Sequence, residues 1–283
     1  MRENINIFHL NRMSKVLEVS RSGYYAWLRR PMSTREKNNM YLSERVRSIY
    51  EQNKRVYGCL RITAELREEG FSCSKNRVAR LMRKQGITAR TKRRFRVTTN
   101  SKHKLPVAPN LVEMQFNPER LNSIWTTDIT YIRTREGWLY LSVMLDLNSR
   151  AVISWNAERS MDENLVIKTL EKALRDRNPN TGLILHSDRG SQYASQRLRN
   201  MLRENNITQS MSSKGNCYDN APTESFFSTL KRELVYRERF KTREEAKQKI
   251  FEYIEVFYNR QRRHSTLGYL SPMQFEKLKK TPN

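Results

Sequence analysis

The sequence is poor in cysteine, with Cys59, Cys73 and Cys217 the only three in 283 residues. They are scattered and odd in number, so a disulfide framework is not expected. No two form Cys-x-x-Cys, and His9, His103, His186 and His264 lie far apart. A structural zinc site therefore has no ligand spacing to rest on. No apolar run approaches the roughly 20 residues that span a bilayer. The opening MRENINIFHLNRM lacks the apolar stretch of a secretory signal. There is no internal repeat and no heptad run long enough for a coiled coil. Together these absences set the expectation of a soluble, reduced, cytoplasmic protein with no membrane partner.

Acidic residues are also scarce. Asp+Glu number 29 against 54 Lys+Arg, a net charge of +25. Such an excess favours a polyanion, either nucleic acid or an acidic membrane face. Hydrophobic residues at 37% and aromatics at 10% are enough to build cores, which argues against a disordered basic tail. The length suits about two domains of roughly 100–200 residues each. The charge is uneven. Residues 1–120 hold 27 basic and 10 acidic residues, net +17, and residues 121–283 hold 27 and 19, net +8. Residues 71–112 contain 12 Lys or Arg and no acid at all, centred on RTKRRFRVTTNSKHK with Arg93, Arg94 and Arg96. Two readings stay open for this stretch. It is a solvated linker, or an extended arm that neutralises phosphates and makes binding salt-dependent.

Residues 1–85 are expected to form helical, helix-turn-helix DNA-binding units. Residues 11–28 pair two short helical patterns across Ser20-Arg21-Ser22-Gly23. Residues 39–53 place Leu42, Val46 and Tyr50 on one helical face. A second helix-turn-helix candidate runs from Ile62 and Leu66, through a turn at residues 70–74, to Val78, Leu81 and Met82, with Ser74 as N-cap. Arg77, Arg80 and Lys84 on that last helix are candidate DNA contacts; an ordinary helical bundle with a solvated face is the alternative. Residues 86–121, with Pro106, Pro109 and Pro118, are a basic linker. From 122 to 283 the pattern is mixed. Strands at 124–132, 138–147 and 151–155 predict an antiparallel meander. Helix 164–174, strand 183–186, helix 195–204, strand 207–211 and helices 221–234 and 243–258 follow. The order βββαβαβα defines an α/β mixed-sheet core.

Three acids stand out by context. Asp128 lies inside the first β segment, where a charged side chain is costly. Asp188 follows the 183–186 strand, at the end where α/β folds place functional groups. Glu224 sits in the first turn of a helix whose Pro222 loses nothing by lacking an N–H. Singly, each has a structural alternative: an ion-paired strand acid, a turn residue before Gly190, a dipole partner. Together, two sheet carboxylates and one from a facing helix suit a pair of hard divalent cations, which take oxygen ligands and serve in-line phosphodiester displacement. Asp146, Asp162 and Asp219 are rival acids. His186 is better read as a hydrogen-bonding core residue than as a catalytic base. Lys231, seven positions after Glu224 on the same helical face as Ser228, can reach a phosphate. Lys214, Asn216, Tyr218 and Asn220 precede that helix; the loop either flexes over substrate, with Tyr218 stacking on a base, or simply forms the turn. Asn259, Arg260, Arg262, Arg263 and His264 end a helix, either packing back on the core or touching phosphate.

These residues resemble a known family. Asp128, Asp188 and Glu224, with thirty-five residues between the last two, match the D, D-35-E signature of the retroviral integrase superfamily. W-x-x-DIT-Y (125–131), HSDRGSQY (186–193), S-x-S-x-KGNCYDNA-x-x-ESFF (210–227) and YN-x-x-RRH (258–264) resemble bacterial insertion-sequence transposases of the OrfB type. The resemblance spans nearly the whole chain. It implies an RNase H-like catalytic core behind small all-α helix-turn-helix units, with Asp128, Asp188 and Glu224 as catalytic and metal-binding residues for Mg²⁺, two ions, with Mn²⁺ substituting. It implies cleavage at the element end to free a 3′-OH, then joining of that 3′-OH to another strand, commonly through a circular intermediate. The implied partners are double-stranded DNA of the element's terminal repeats and of the target, and a second copy, since two ends are joined. An upstream reading frame often supplies a zipper and a further helix-turn-helix by frameshifting, so a fusion or separate partner is also implied. A non-catalytic DNA-binding regulator and a nuclease without strand transfer remain the alternatives.

Overall fold

The computed structural model describes residues 1–89, 105–213 and 217–280. Five helices come first: α1 (Leu10–Val16), α2 (Arg21–Arg29), α3 (Thr34–Gln52), α4 (Cys59–Glu68) and α5 (Lys75–Lys84). Local chemistry sets their starts. Ser33 and Glu36 form a reciprocal capping box on α3, which therefore begins earlier than the apolar pattern at 39–53 indicated. The Ser74 hydroxyl accepts the Arg77 N–H at 3.3 Å, the cap expected from the sequence. Val78, Leu81 and Met82 of α5 turn inward, leaving a basic outer face.

The second half of the chain is built on a five-stranded sheet of order β3-β2-β1-β4-β5. Its strands are β1 (Ile124–Thr134), β2 (Gly137–Asp146), β3 (Val152–Glu158), β4 (Ile184–Ser187) and β5 (Thr208–Met211). The first three form the expected antiparallel meander, while β4 and β5 add parallel to β1 and to each other. The β1–β2 hairpin closes at Gly137, whose φ of 110° lies where side chains are disfavoured; a Cβ there would also meet the Arg243 guanidinium. α6 (Glu163–Arg177) and α7 (Gln196–Glu204) cover one sheet face. α8 (Ala221–Glu233) and α9 (Arg243–Phe251), which widens into a π-helical turn over Glu252–Tyr258, cover the other. α10 (Pro272–Lys280), which the sequence pattern did not suggest, closes the described chain. Residues 105–121 carry no helix or strand. Met211 donates its N–H to the Pro109 carbonyl at 3.2 Å, so this segment runs along the outer edge of β5.

One apolar cluster runs from α3–α5 into the core. It joins Val46, Ile49, Tyr57, Ile62 and Leu66 to Ile132, Leu141, Phe226, Leu230 and Phe257. Polar contacts reinforce that junction. Arg263 forks onto Glu65, at 2.6 and 2.8 Å, and also pairs with Glu68. Tyr57 receives the Arg263 N–H at 2.8 Å. Glu233, at the far end of α8, accepts two bonds from Arg262, at 2.9 and 2.8 Å, and one from the Tyr253 hydroxyl at 2.7 Å. Arg61 of α4 stands 3.9 Å from the same carboxylate. Asn259 bridges the Val152 backbone through both its amide atoms. The YN-x-x-RRH segment therefore packs back on the core through Asn259, Arg262, Arg263 and the half-buried His264, while Arg260 and Gln261 remain exposed.

Candidate active site

β1 and β4 run parallel, with Thr126 opposite His186. Two residues further along each chain lie Asp128 and Asp188, close enough for the Asp188 charge to act on the Asp128 carboxyl. β4 ends at Ser187, so Asp188 sits just beyond it and turns with the backbone. Its carboxylate accepts the Gly190 N–H at 2.9 Å. Asp128 accepts the Ile129 N–H at 2.7 Å. Both side chains are half-buried.

The third carboxylate is delivered by α8. Thr223 donates to the Thr126 hydroxyl at 2.8 Å, and both groups are fully buried. The Asn220 amide donates to the Thr127 carbonyl at 3.3 Å. Thr126 and Asp128 are two residues apart and so face the same side of the sheet. The first turn of α8 is therefore docked on the Asp128 side, with Glu224 next to the buried Thr223. Glu224 is exposed, and so is Ser228. Sequence reasoning passed over Thr126 and Thr223. Their signal was present, since each precedes a key acid by one or two residues and neither belongs in an apolar core without a partner.

The electrostatics tie the acids together. Burial raises the Asp128 carboxyl well above the usual range, and the Asp188 and Glu224 charges push it further. Glu224 is raised by partial burial and then by Asp188. Lys231 is lowered by burial, an effect the Asp128 charge opposes. Mutual repulsion of this kind marks sites built for function rather than stability. The donor set is all oxygen, which fits a hard divalent cation. Among the described residues, however, no three His, Cys, Asp or Glu side chains are already assembled as a ligand cluster. The Asp128–Asp188 pair is in place, and exposed Glu224 leaves the site open.

The rival acids have structural work. Asp146 is fully buried and accepts backbone N–H groups from Asn122, Asn148 and Ser149 at 2.6, 2.9 and 2.9 Å. Asp162 caps α6 through the Leu165 N–H at 3.3 Å. Asp219 accepts the Ser213 N–H at 2.7 Å. His186 is buried between the Ser210 and Ser212 hydroxyls, at 2.8 and 3.3 Å, and burial lowers its basicity. It is a hydrogen-bonded core histidine. On α5, Arg80 and Lys84 are exposed, whereas half-buried Arg77 donates to Asn39 at 2.9 Å. Arg93, Arg94, Arg96, Lys214 and Asn216, with the side chain of Tyr218, lie outside the described residues. No helix among the described residues is long and apolar enough to cross a membrane.

A mixed sheet with one carboxylate on β1, a second just past the end of the neighbouring parallel β4 and a third on a docked helix is the arrangement expected of an integrase core. Comparison with known proteins agrees. The integrase core domain family matches residues 118–217 and again 224–279, and the HTH-like domain family matches residues 37–95. Transposase InsF for insertion sequence IS3A of Escherichia coli (strain K12) is 44% identical over 271 residues, covering 95% of this chain and 94% of the relative. The insertion element IS600 uncharacterized 31 kDa protein of Shigella sonnei is 45% identical over 263 residues, covering 93% and 97%. The simian T-cell lymphotropic virus intasome chain aligns over 84% of this chain and 75% of its own at 16% identity and a TM-score of 0.49. The chain belongs to the InsF family of insertion-sequence transposases. It is a DNA transposase with an integrase core domain and an HTH-like helical region.

Proposed function

We propose that Asp128, Asp188 and Glu224 are the catalytic and metal-binding residues, and that this site cleaves insertion-sequence ends and joins the freed 3′-OH to another DNA strand. The observation that carries this reading is geometric: the buried Thr223–Thr126 hydroxyl bond docks the first turn of α8, with Glu224, on the face of β1 that carries Asp128, beside the end of β4 that leads into Asp188. Mg²⁺ is the proposed cofactor, as two ions, with Mn²⁺ as a substitute. Bound there, it would supply charge neutralisation at the phosphate and an activated attacking oxygen.

The chain's own residues do the rest. Asp128 and Asp188 form the fixed part of the site. Glu224 completes it from exposed α8 when substrate and cation arrive. Lys231 offers a positive charge to a phosphate beside Asp128, and the Thr126–Thr223 bond keeps α8 in register with β1. Arg80 and Lys84 present charge to a duplex, joined by Arg77 if its bond to Asn39 yields. Arg93, Arg94 and Arg96 follow them in the sequence as further proposed DNA contacts, and Lys214, Asn216 and Tyr218 precede the catalytic helix. In this scheme residues 1–85 recognise DNA, 86–121 link, and 122–283 catalyse. Two DNA ends require at least two copies. The site of action is DNA in the bacterial cytoplasm.

The test is Asp188→Asn, assayed on a labelled duplex carrying an element end. Mg²⁺-dependent cleavage should vanish while duplex affinity stays within about threefold. Cleavage at the wild-type rate would overturn the assignment.

A further inference from the structure

Among the described residues, the C-terminal half of β1 has no strand partner on its β4 side, because the β1–β4 pairing stops at Thr126. Beside this free edge the sheet carries an uncovered aromatic group. Tyr131 pairs with Tyr140, and Arg133 with Trp138, across the β1–β2 hairpin, so all four side chains share one face. The Tyr131 and Trp138 rings meet edge to face at 5.1 Å. Trp138 is 39% exposed. Two cations attend the rings: Arg133 lies 5.8 Å from the Trp138 centroid, and Lys231 lies 5.0 Å from that of Tyr131. Lys231 reaches this position from α8, and it also feels the Asp128 charge. By strand alternation these rings lie on the face opposite Asp128, at an edge of β1 around which Lys231 of α8 reaches the Tyr131 ring.

We propose that Tyr131, Trp138, Arg133 and Lys231 form a stacking site for an unpaired base of a DNA strand leaving the catalytic carboxylates. The inference rests on the proposed reaction and adds a subsite to it. An aromatic face accepts any base, and the flanking cations match the phosphates on either side. A duplex offers no free base face, so the site selects a strand whose end has come apart. Arg133 is exposed and forms no ion pair among the described residues. It can lift from Trp138 to admit a base and then pair with a phosphate. A cross-strand pair that only braced the hairpin would need neither an exposed indole nor two cations from different elements.

The experiment uses the full chain in EDTA, so that no cleavage occurs. The probes are a short single-stranded oligodeoxynucleotide and its abasic counterpart. Base stacking is worth roughly 1–3 kcal/mol per base, or about 5- to 150-fold in affinity. Wild type should bind the normal oligonucleotide at least fivefold more tightly than the abasic one, with quenching of tryptophan fluorescence. Trp138→Ala should collapse that ratio to near one. Trp138→Phe should keep the ratio but lose most of the quenching, since Trp27, Trp125 and Trp155 remain distant reporters. Loss of hairpin bracing alone would lower the melting temperature of Trp138→Ala without moving the ratio, and an unmoved ratio overturns the proposal. A shift in oligomeric state of Trp138→Ala with unchanged oligonucleotide affinity would assign the patch to protein contact and also overturns it. None of these outcomes depends on cleavage, so failure of the catalytic assignment would show separately in Asp188→Asn.

Discussion

Arg262→Met should be among the most destabilising single changes in this chain. Arg262 holds Glu233 through two bonds, and Glu233 is only 8% exposed. The variant leaves a buried carboxylate with the Tyr253 hydroxyl and with Arg61 at 3.9 Å, too far for a hydrogen bond. Removing one partner of a buried pair costs about 3–5 kcal/mol. For a chain of this size each kcal/mol lowers the melting temperature by about 2–4 °C, so a fall of about 6–20 °C is expected. Differential scanning fluorimetry in EDTA measures it. Replacing both partners, as Glu233→Leu with Arg262→Leu, should recover most of the loss, because an apolar pair carries no uncompensated charge. The pH dependence gives an independent check. Burial raises the Glu233 carboxyl, but the Arg262 charge and bonds outweigh it and hold the net value below normal. Its contribution is thus complete above the unfolded carboxyl value of about 4.3 and is lost as pH falls through the folded one. Without Arg262, burial raises the same carboxyl, so the variant regains stability by taking up a proton as pH falls, and the gap to wild type should narrow between pH 7 and pH 4. A loss under about 1 kcal/mol, or a gap that does not narrow, would refute the reasoning. Because α8 carries Glu233 at one end and Glu224 near the other, the variant also tests whether the helical region and the active site share one support.

Thr223→Val removes one partner of a buried hydroxyl pair and should cost about 1–3 kcal/mol; cleavage should fall further than duplex affinity, measured side by side. Asp128→Asn should raise the melting temperature in EDTA. Burial and the neighbouring acids raise the Asp128 carboxyl, so its ionisation costs stability as pH climbs, and the gain should be large at pH 8 and small near pH 4. Arg80→Ala with Lys84→Ala should weaken duplex binding and reduce the salt slope by about two, read from affinity at several ionic strengths.

The order of strands and helices along the chain was legible, and the three candidate acids stood out, because these signals are local. A charged residue inside β1, a turn after β4 and a proline-started helix each break an apolar pattern. The register that sets Asp128 beside Asp188 was not legible, since it depends on β4 adding parallel to β1 across about sixty residues. The YN-x-x-RRH segment was ambiguous for a related reason. Arginines look like phosphate ligands until Glu65, Glu68 and Glu233, remote in sequence, are seen to pair with them. The early start of α3 escaped the apolar pattern because its first turn is exposed and is specified by the Ser33–Glu36 capping box instead. α10 escaped it because its packing contacts are few and far apart in sequence: buried Glu276 pairs with Arg177 at 2.7 Å. Asp146 is told from the candidate catalytic acids by its full burial and three backbone partners, and Asp162 by its cap on α6.

The central claim is that Asp128, Asp188 and Glu224 together hold the divalent ions that serve phosphodiester transfer. A crystal structure of the protein with element-end DNA and Mn²⁺, read by anomalous scattering, tests it most directly. The account expects density within about 2.0–2.3 Å of Asp128 and Asp188 carboxylate oxygens, with Glu224 drawn in from α8 to the same ions. Anomalous density elsewhere, or DNA in place with all three carboxylates free of metal, would contradict it.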